Sequence, residues 1–113
     1  MSLDKRQLSY LWDMHEAARE IHSFMQGVKF NDFENNKTLR YAVERQLLVI
    51  GEAASHLPPQ FRKQHPEIPW ARIITMRNIL AHEYGDTMIS RAWLAATESV
   101  PELLPLLRKL LPE

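Results

Sequence analysis

Apolar residues recur at three- and four-residue steps through most of this chain. Between Leu3 and Met25 they fall at Leu8, Leu11, Met14, Ala18, Ile21, Phe24 and Met25, with Asp13, Glu16, Arg19 and Glu20 in the gaps. That period predicts an amphipathic helix ending near Gly27. The polar stretch Asn31-Asp32-Phe33-Glu34-Asn35-Asn36 predicts a turn-rich connection, in which Asn35 or Asn36 can cap the next helix through its short amide side chain. A second helix is expected over 37–55, with Leu39, Val43, Leu47, Ile50 and Ala54 as its core stripe. Gly51 inside it costs roughly 1 kcal/mol relative to alanine, which predicts a tight crossing at Gly51-Glu52-Ala53-Ala54, where another backbone comes close. Four of the seven prolines lie between positions 58 and 69, so no long helix crosses that segment, and one short helical turn fits around Gln60 to Gln64. A third long helix carries Ile73, Ile74, Met76, Ile79 and Leu80 from near Trp70 to Tyr84-Gly85. Asp86 or Thr87 can cap a fourth, which shows Met88, Ile89, Trp93, Leu94 and Val100 before meeting Pro101 and Pro105, and so is either bent or broken there. No strand period competes. The expected fold is all-α: residues 1–113 as one domain, an up-down bundle of about four long helices plus short helical turns.

Composition narrows the function classes. Fourteen Lys and Arg balance fourteen Asp and Glu in 113 residues, and no like-charge block occurs. A nucleic-acid site is therefore local, or completed by another chain, because broad nonspecific affinity needs many phosphate contacts. With no cysteine there is no disulfide framework, thiolate zinc site or cysteine nucleophile, and the cytoplasm is the simplest setting. The charges after Met1 lead into no apolar core of a signal peptide, and no apolar run reaches membrane-spanning length. The histidines at 15, 22, 56, 65 and 82 form no His-Glu-x-x-His pair. His15 and His22 lie seven apart on one helical face with Arg19 between them, which reads as a solvated face. Three glycines supply no phosphate loop and no nucleophile elbow. No metal and no cofactor are expected.

One segment concentrates chemistry. Met76-Arg77-Asn78-Ile79-Leu80-Ala81-His82-Glu83-Tyr84-Gly85 places Arg, Asn, His, Glu and Tyr on the last turns of a helix otherwise needed for packing. Arg77 and Tyr84 share a stripe to within about 20°, Asn78 and His82 a neighbouring one, while Arg77 and His82 stand about 140° apart. Either the arginine reaches across, or the helix end distorts, or the same helix from two chains meets at a two-fold axis. The set suits metal-free phosphodiester cleavage. Histidine shuttles a proton between an attacking 2′-hydroxyl and a leaving oxygen, and arginine clamps the phosphate as charge develops. Taken by spacing alone, Arg-x-x-x-x-His at a helix end also arises from the preference for cations near helix C-termini.

The run Arg77-Asn78-x-x-x-His82-x-Tyr84 resembles the Arg-Asn-x-x-x-His-x-Tyr motif of the HEPN superfamily, in its HepT-like branch, also called DUF86. Ala42-Val43-Glu44-Arg45-Gln46-Leu47, Ile50-Gly51-Glu52-Ala53, Leu57-Pro58, Pro66-x-Ile68-Pro69-Trp70 and Val100-Pro101-Glu102-Leu103 resemble that family in order and spacing. The resemblance implies a HEPN-like helical homodimer acting as the endoribonuclease toxin of a type VII toxin-antitoxin pair, whose partner is a minimal nucleotidyltransferase. Carried over, Arg77 and His82 match the catalytic pair, Asn78 the polar residue beside it, and Tyr84 the tyrosine that the partner modifies with AMP to silence the toxin. The superfamily also holds noncatalytic modules that bind nucleotides or partners, which is the alternative reading. Trp12, Trp93 and Phe24 stand at core spacing, Tyr10 and Tyr41 at half-buried positions, and Trp70 at the start of the third helix. Glu52 can orient Arg77 or His82 across the crossing or serve as a plain surface acid. Leu103, Leu104, Leu106, Leu107, Leu110 and Leu111 are expected to pack on the bundle.

Overall fold

A computed structural model describes residues 4–82 and 86–112, with the side chains of residues 86 and 87 left out of the description. Helix α1 runs Lys5–Phe24, α2 Phe30–Glu34, α3 Lys37–His56, α4 Pro59–Gln64, α5 Trp70–His82, α6 Asp86–Leu94 and α7 Val100–Leu110. No strand occurs among the described residues. The four long helical runs and the short turn at α4 lie where the apolar period and the prolines place them.

The helix ends follow from side-chain chemistry. Asp4 caps α1 by accepting the Gln7 amide at 2.7 Å, and Gly27 beyond its end takes a positive φ of 72°. Asn36 caps α3 through a 3.0 Å hydrogen bond from the Leu39 amide. Trp70 seals the start of α5: it is buried, packs edge-on to Phe61, and its indole N–H donates to the His65 carbonyl at 2.9 Å. The caps proposed at Asp86 or Thr87 fall on side chains outside the described residues.

The stretch 31–36 departs from a plain turn, since its first part is helix α2. Phe30 and Phe33 sit three apart and both pack against Trp93, at ring-centroid distances of 5.5 and 5.6 Å, with Phe33 fully buried. Buried Arg40 then ties α2 down by donating to the Phe33 carbonyl at 3.4 Å and to the Glu34 carbonyl, a cation at a helix C-terminus.

Helices α1 and α3 run antiparallel, because Tyr10 stacks on His56 while Glu20 meets Gln46 at the other end. Leu11, Met14, Ala18 and Ile21 of α1 and Val43, Leu47, Ile50 and Ala54 of α3 are buried. Helix α3 also carries α5 on its flank, and α7 packs on α1 through Leu103 and Leu107, so the leucine-rich C-terminus belongs to the bundle. Helices α6 and α7 are one continuous run, joined by a π-helical turn at Ala95–Ser99. Pro101 has no N–H for the Thr97 carbonyl, and its ring would collide with that carbonyl in a regular helix; the wider turn just before it relieves both problems.

Three aromatic expectations are corrected. Trp12 is 45% exposed and Tyr41 60% exposed, because each lies beside its helix's core stripe rather than on it, and Phe24 sits at the rim at 37%. His15 is half-buried rather than solvated: its Nε2 is buried with no hydrogen-bond partner among the described residues, and burial, then the charge of Arg108, push its pKa down.

Candidate active site

The crossing of α3 and α5 positions the site. A Cβ built on Gly51 would stand 2.7 Å from the Arg77 Cγ and 3.4 Å from its Cα, inside contact distance. The glycine therefore lets the backbone of α3 meet the stem of Arg77, the close approach expected from the sequence. The next residue, Glu52, points at the same arginine. Its Oε1 accepts from Arg77 Nε at 2.9 Å and from Nη2, while Nη1 donates to Asn78 Oδ1 at 3.1 Å. Arg77 is thus held along its length by Gly51, Glu52 and Asn78, yet 35% of its side chain stays exposed.

Glu52 is shared. Its Oε2 lies 3.6 Å from His56 Nε2, and the carboxyl pKa is held below the usual carboxylate range first by the hydrogen bond from Arg77, then by that residue's charge. Of the two roles open to Glu52 on the sequence, the structure takes the first for Arg77. His56 was not among the sequence candidates, although its four-residue spacing from Glu52 on one helix was a usable signal.

His82 ends α5, exposed, five residues past Arg77 in unbroken helix. Among the described residues no hydrogen bond joins it to Arg77, which is turned back onto α3. Arg77, Asn78 and Glu52 come together; His82 stands apart on the same helix; Tyr84 lies outside the described residues. No group of three or more His, Asp or Glu side chains placed to share a metal ion occurs among the described residues, and no helix there is long and apolar enough to cross a membrane.

A part-exposed, prepositioned guanidinium and, apart from it on the same helix, an exposed imidazole are groups that can hold a phosphate and move a proton. Comparison with known proteins gives this set its context. The family model for ribonuclease HepT-like proteins matches residues 14–110. The chain belongs to the HepT-like family. A Methanocaldococcus jannaschii relative named "Putative RNase MJ1380" is 36% identical over 102 residues, 89% of this chain and 94% of the relative. The Thermococcus cleftensis protein named "Probable ribonuclease HepT" is 38% identical over 94 residues, 83% of this chain and 86% of its own length. A Caldanaerobacter subterraneus relative named "Putative RNase TTE0752" is 36% identical over 94 residues, covering 83% of this chain and 84% of the relative. No solved structure matches significantly. Membership of the HepT-like family supports a ribonuclease function and agrees with the all-helical, HEPN-like fold.

Proposed function

We propose that this chain is a metal-independent endoribonuclease. His82 acts as general acid and base, Arg77 clamps the scissile phosphate, and Asn78 orients the arginine. The observation that carries this reading is the three-sided hold on Arg77 by Gly51, Glu52 and Asn78, which fixes a cation at the surface instead of burying it. RNA brings its own 2′-hydroxyl nucleophile, so a proton shuttle and a phosphate clamp suffice for cleavage. Incubating the purified protein with RNA in EDTA tests it. Cleavage that persists in EDTA and disappears in His82→Ala is expected; no cleavage of any RNA together with tight nucleotide binding would favour the noncatalytic module.

The active form in this reading is a homodimer. Arg77 and His82 diverge by about 140° on one helix, so a second copy of α5 is needed to place an imidazole opposite each clamp. Supporting this, Ile73, Ile74, Met76, Ile79 and Leu80 of α5 are only half-buried. Light scattering is expected to give a dimer, and a fully active monomer would contradict it.

The family resemblance further supports a toxin role in the cytoplasm, opposed by a minimal nucleotidyltransferase. In that step the Tyr84 hydroxyl attacks the α-phosphorus of ATP; the new O–P bond forms as pyrophosphate leaves, and the phenol proton passes to solvent. The attached AMP would add bulk and negative charge on the stripe of Arg77. Mass spectrometry after co-expression is expected to find an adenylyl group on Tyr84 and on neither Tyr10 nor Tyr41, with Tyr84→Phe remaining active beside the partner.

A further inference from the structure

A second concavity, of about 220 Å³, opens between α1 and α3 on the far side of Glu52 from Arg77. At about 30 Å³ per water it has room for roughly seven water molecules, the bulk of one nucleobase. Tyr10 and His56 form a flat ledge in it, with ring centroids 5.2 Å apart and planes within 15°. The His56 side chain is 56% exposed, so one ring face remains open to a further planar group. Asp13 lines it from α1 and Arg45 from α3. Both are exposed, and among the described residues neither has a hydrogen-bond or ion-pair partner, the other included.

We infer that this pocket is a subsite for a guanine base of the RNA strand whose phosphate Arg77 holds, an inference that rests on the ribonuclease reading above. Charge decides that a base enters and not a second phosphate. The Glu52 carboxylate is matched by Arg77, which leaves one carboxylate, Asp13, against one arginine, Arg45, so the pocket offers a phosphate no net positive charge. Guanine meets both unpaired groups. Its Watson–Crick edge offers N–H donors to the Asp13 carboxylate, and its O6 and N7 accept from the Arg45 guanidinium. Adenine lacks the O6 acceptor and the N1–H donor, and cytosine and uracil lack the second edge. Proximity to the cleavage site follows from Glu52, whose Oε1 holds Arg77 while Oε2 faces His56. Clamp and ledge are separated by one carboxylate, the relation of a phosphate to the base of a neighbouring nucleotide.

The test uses binding as well as cleavage. Fluorescence anisotropy of the full-length His82→Ala protein is read with two single-stranded RNA oligonucleotides that differ only in guanosine against adenosine. About tenfold tighter binding of the guanosine oligonucleotide is expected. Asp13→Asn and Arg45→Ala, both surface changes that keep the melting temperature, should each erase the preference, and Trp12→Ala on another face of α1 should leave it. Equal affinity for the two oligonucleotides, or a preference that survives both variants, overturns the inference. The readings separate cleanly. Wild-type protein that cuts RNA with no guanine at a fixed offset from the cut removes the subsite and leaves the ribonuclease. Protein that cuts no RNA but shows the preference, lost in both variants, keeps the subsite and removes the ribonuclease.

Discussion

Helix α1 buries five residues and α3 seven, whereas α5 buries Trp70 alone. The first pair makes most of the core, and α5 carries the candidate catalytic residues. It is fixed at Trp70, sealed against Phe61 and the His65 carbonyl, and at Arg77 in the Gly51 notch, while Ile73, Ile74, Met76 and Leu80 pack on the core only part-buried. The buried core and the candidate site thus sit on different helices, which approach most closely at Gly51.

The largest effects should show that division most plainly. Leu11→Ala, on the fully buried stripe of α1, is expected to cost about 2–5 kcal/mol in denaturant unfolding while leaving residual folded protein active per molecule. Arg77→Ala should do the reverse, lowering RNA cleavage by about 10²–10³-fold with less than about 1 kcal/mol lost from stability, since its ion pair is half exposed. If Arg77→Ala unfolds the protein, the two roles are not separable. Gly51→Ala is the intermediate case and the sharpest probe. The added methyl has no room beside the Arg77 stem, so about 1–3 kcal/mol of overpacking is expected, together with lost cleavage, from a residue that touches no substrate.

Smaller effects follow in exchange and in pH. Amide hydrogen exchange should be faster along 73–82 of α5 than along the buried stripes of α1 and α3, because fewer apolar contacts hold α5 down. Uniform protection would erase the contrast. Arg77 lowers the Glu52 pKa, so the pair contributes stability at and above the ordinary carboxylate range and loses it as pH falls through the lower folded value. Comparing Glu52→Gln with wild type, a stability difference present at neutral pH should shrink in acid. A difference that grows in acid would contradict the pairing.

The long helices were legible because their burial is periodic, and periodicity survives in a single sequence. The crossing at Gly51 was legible for a different reason, since a glycine in a helix is otherwise a cost. Helix α2 was hidden: Asn31 and Asp32 within it, and Asn35 and Asn36 after it, read as a turn, and the Phe30 and Phe33 pair that makes it a helix finds its partner, Trp93, sixty residues away. Trp12 and Tyr41 were misplaced because a large apolar side chain beside a core stripe has the same spacing as one at its edge. At the candidate site, Arg77, Asn78 and His82 could be picked out by residue type and by resemblance. That Glu52 divides itself between Arg77 and His56 could not, because spacing along a chain says nothing about which side chain arrives from another helix.

The π-helical turn at Ala95–Ser99 also bears on how this chain tolerates change. A turn one residue wider than its neighbours is a place where the helical phase of everything downstream is set. Deleting a single residue there would let the run close to a regular helix with little change of phase, because the turn gives up the one residue by which it exceeds its neighbours. Leu103 and Leu107 would go on facing α1, and what would be lost is the relief that the wide turn gives Pro101. A deletion one or two turns away has no such slack and turns everything downstream by about 100°. Between Trp93 and Leu103 the chain should therefore accept the loss of one residue at the wide turn and at no neighbouring position.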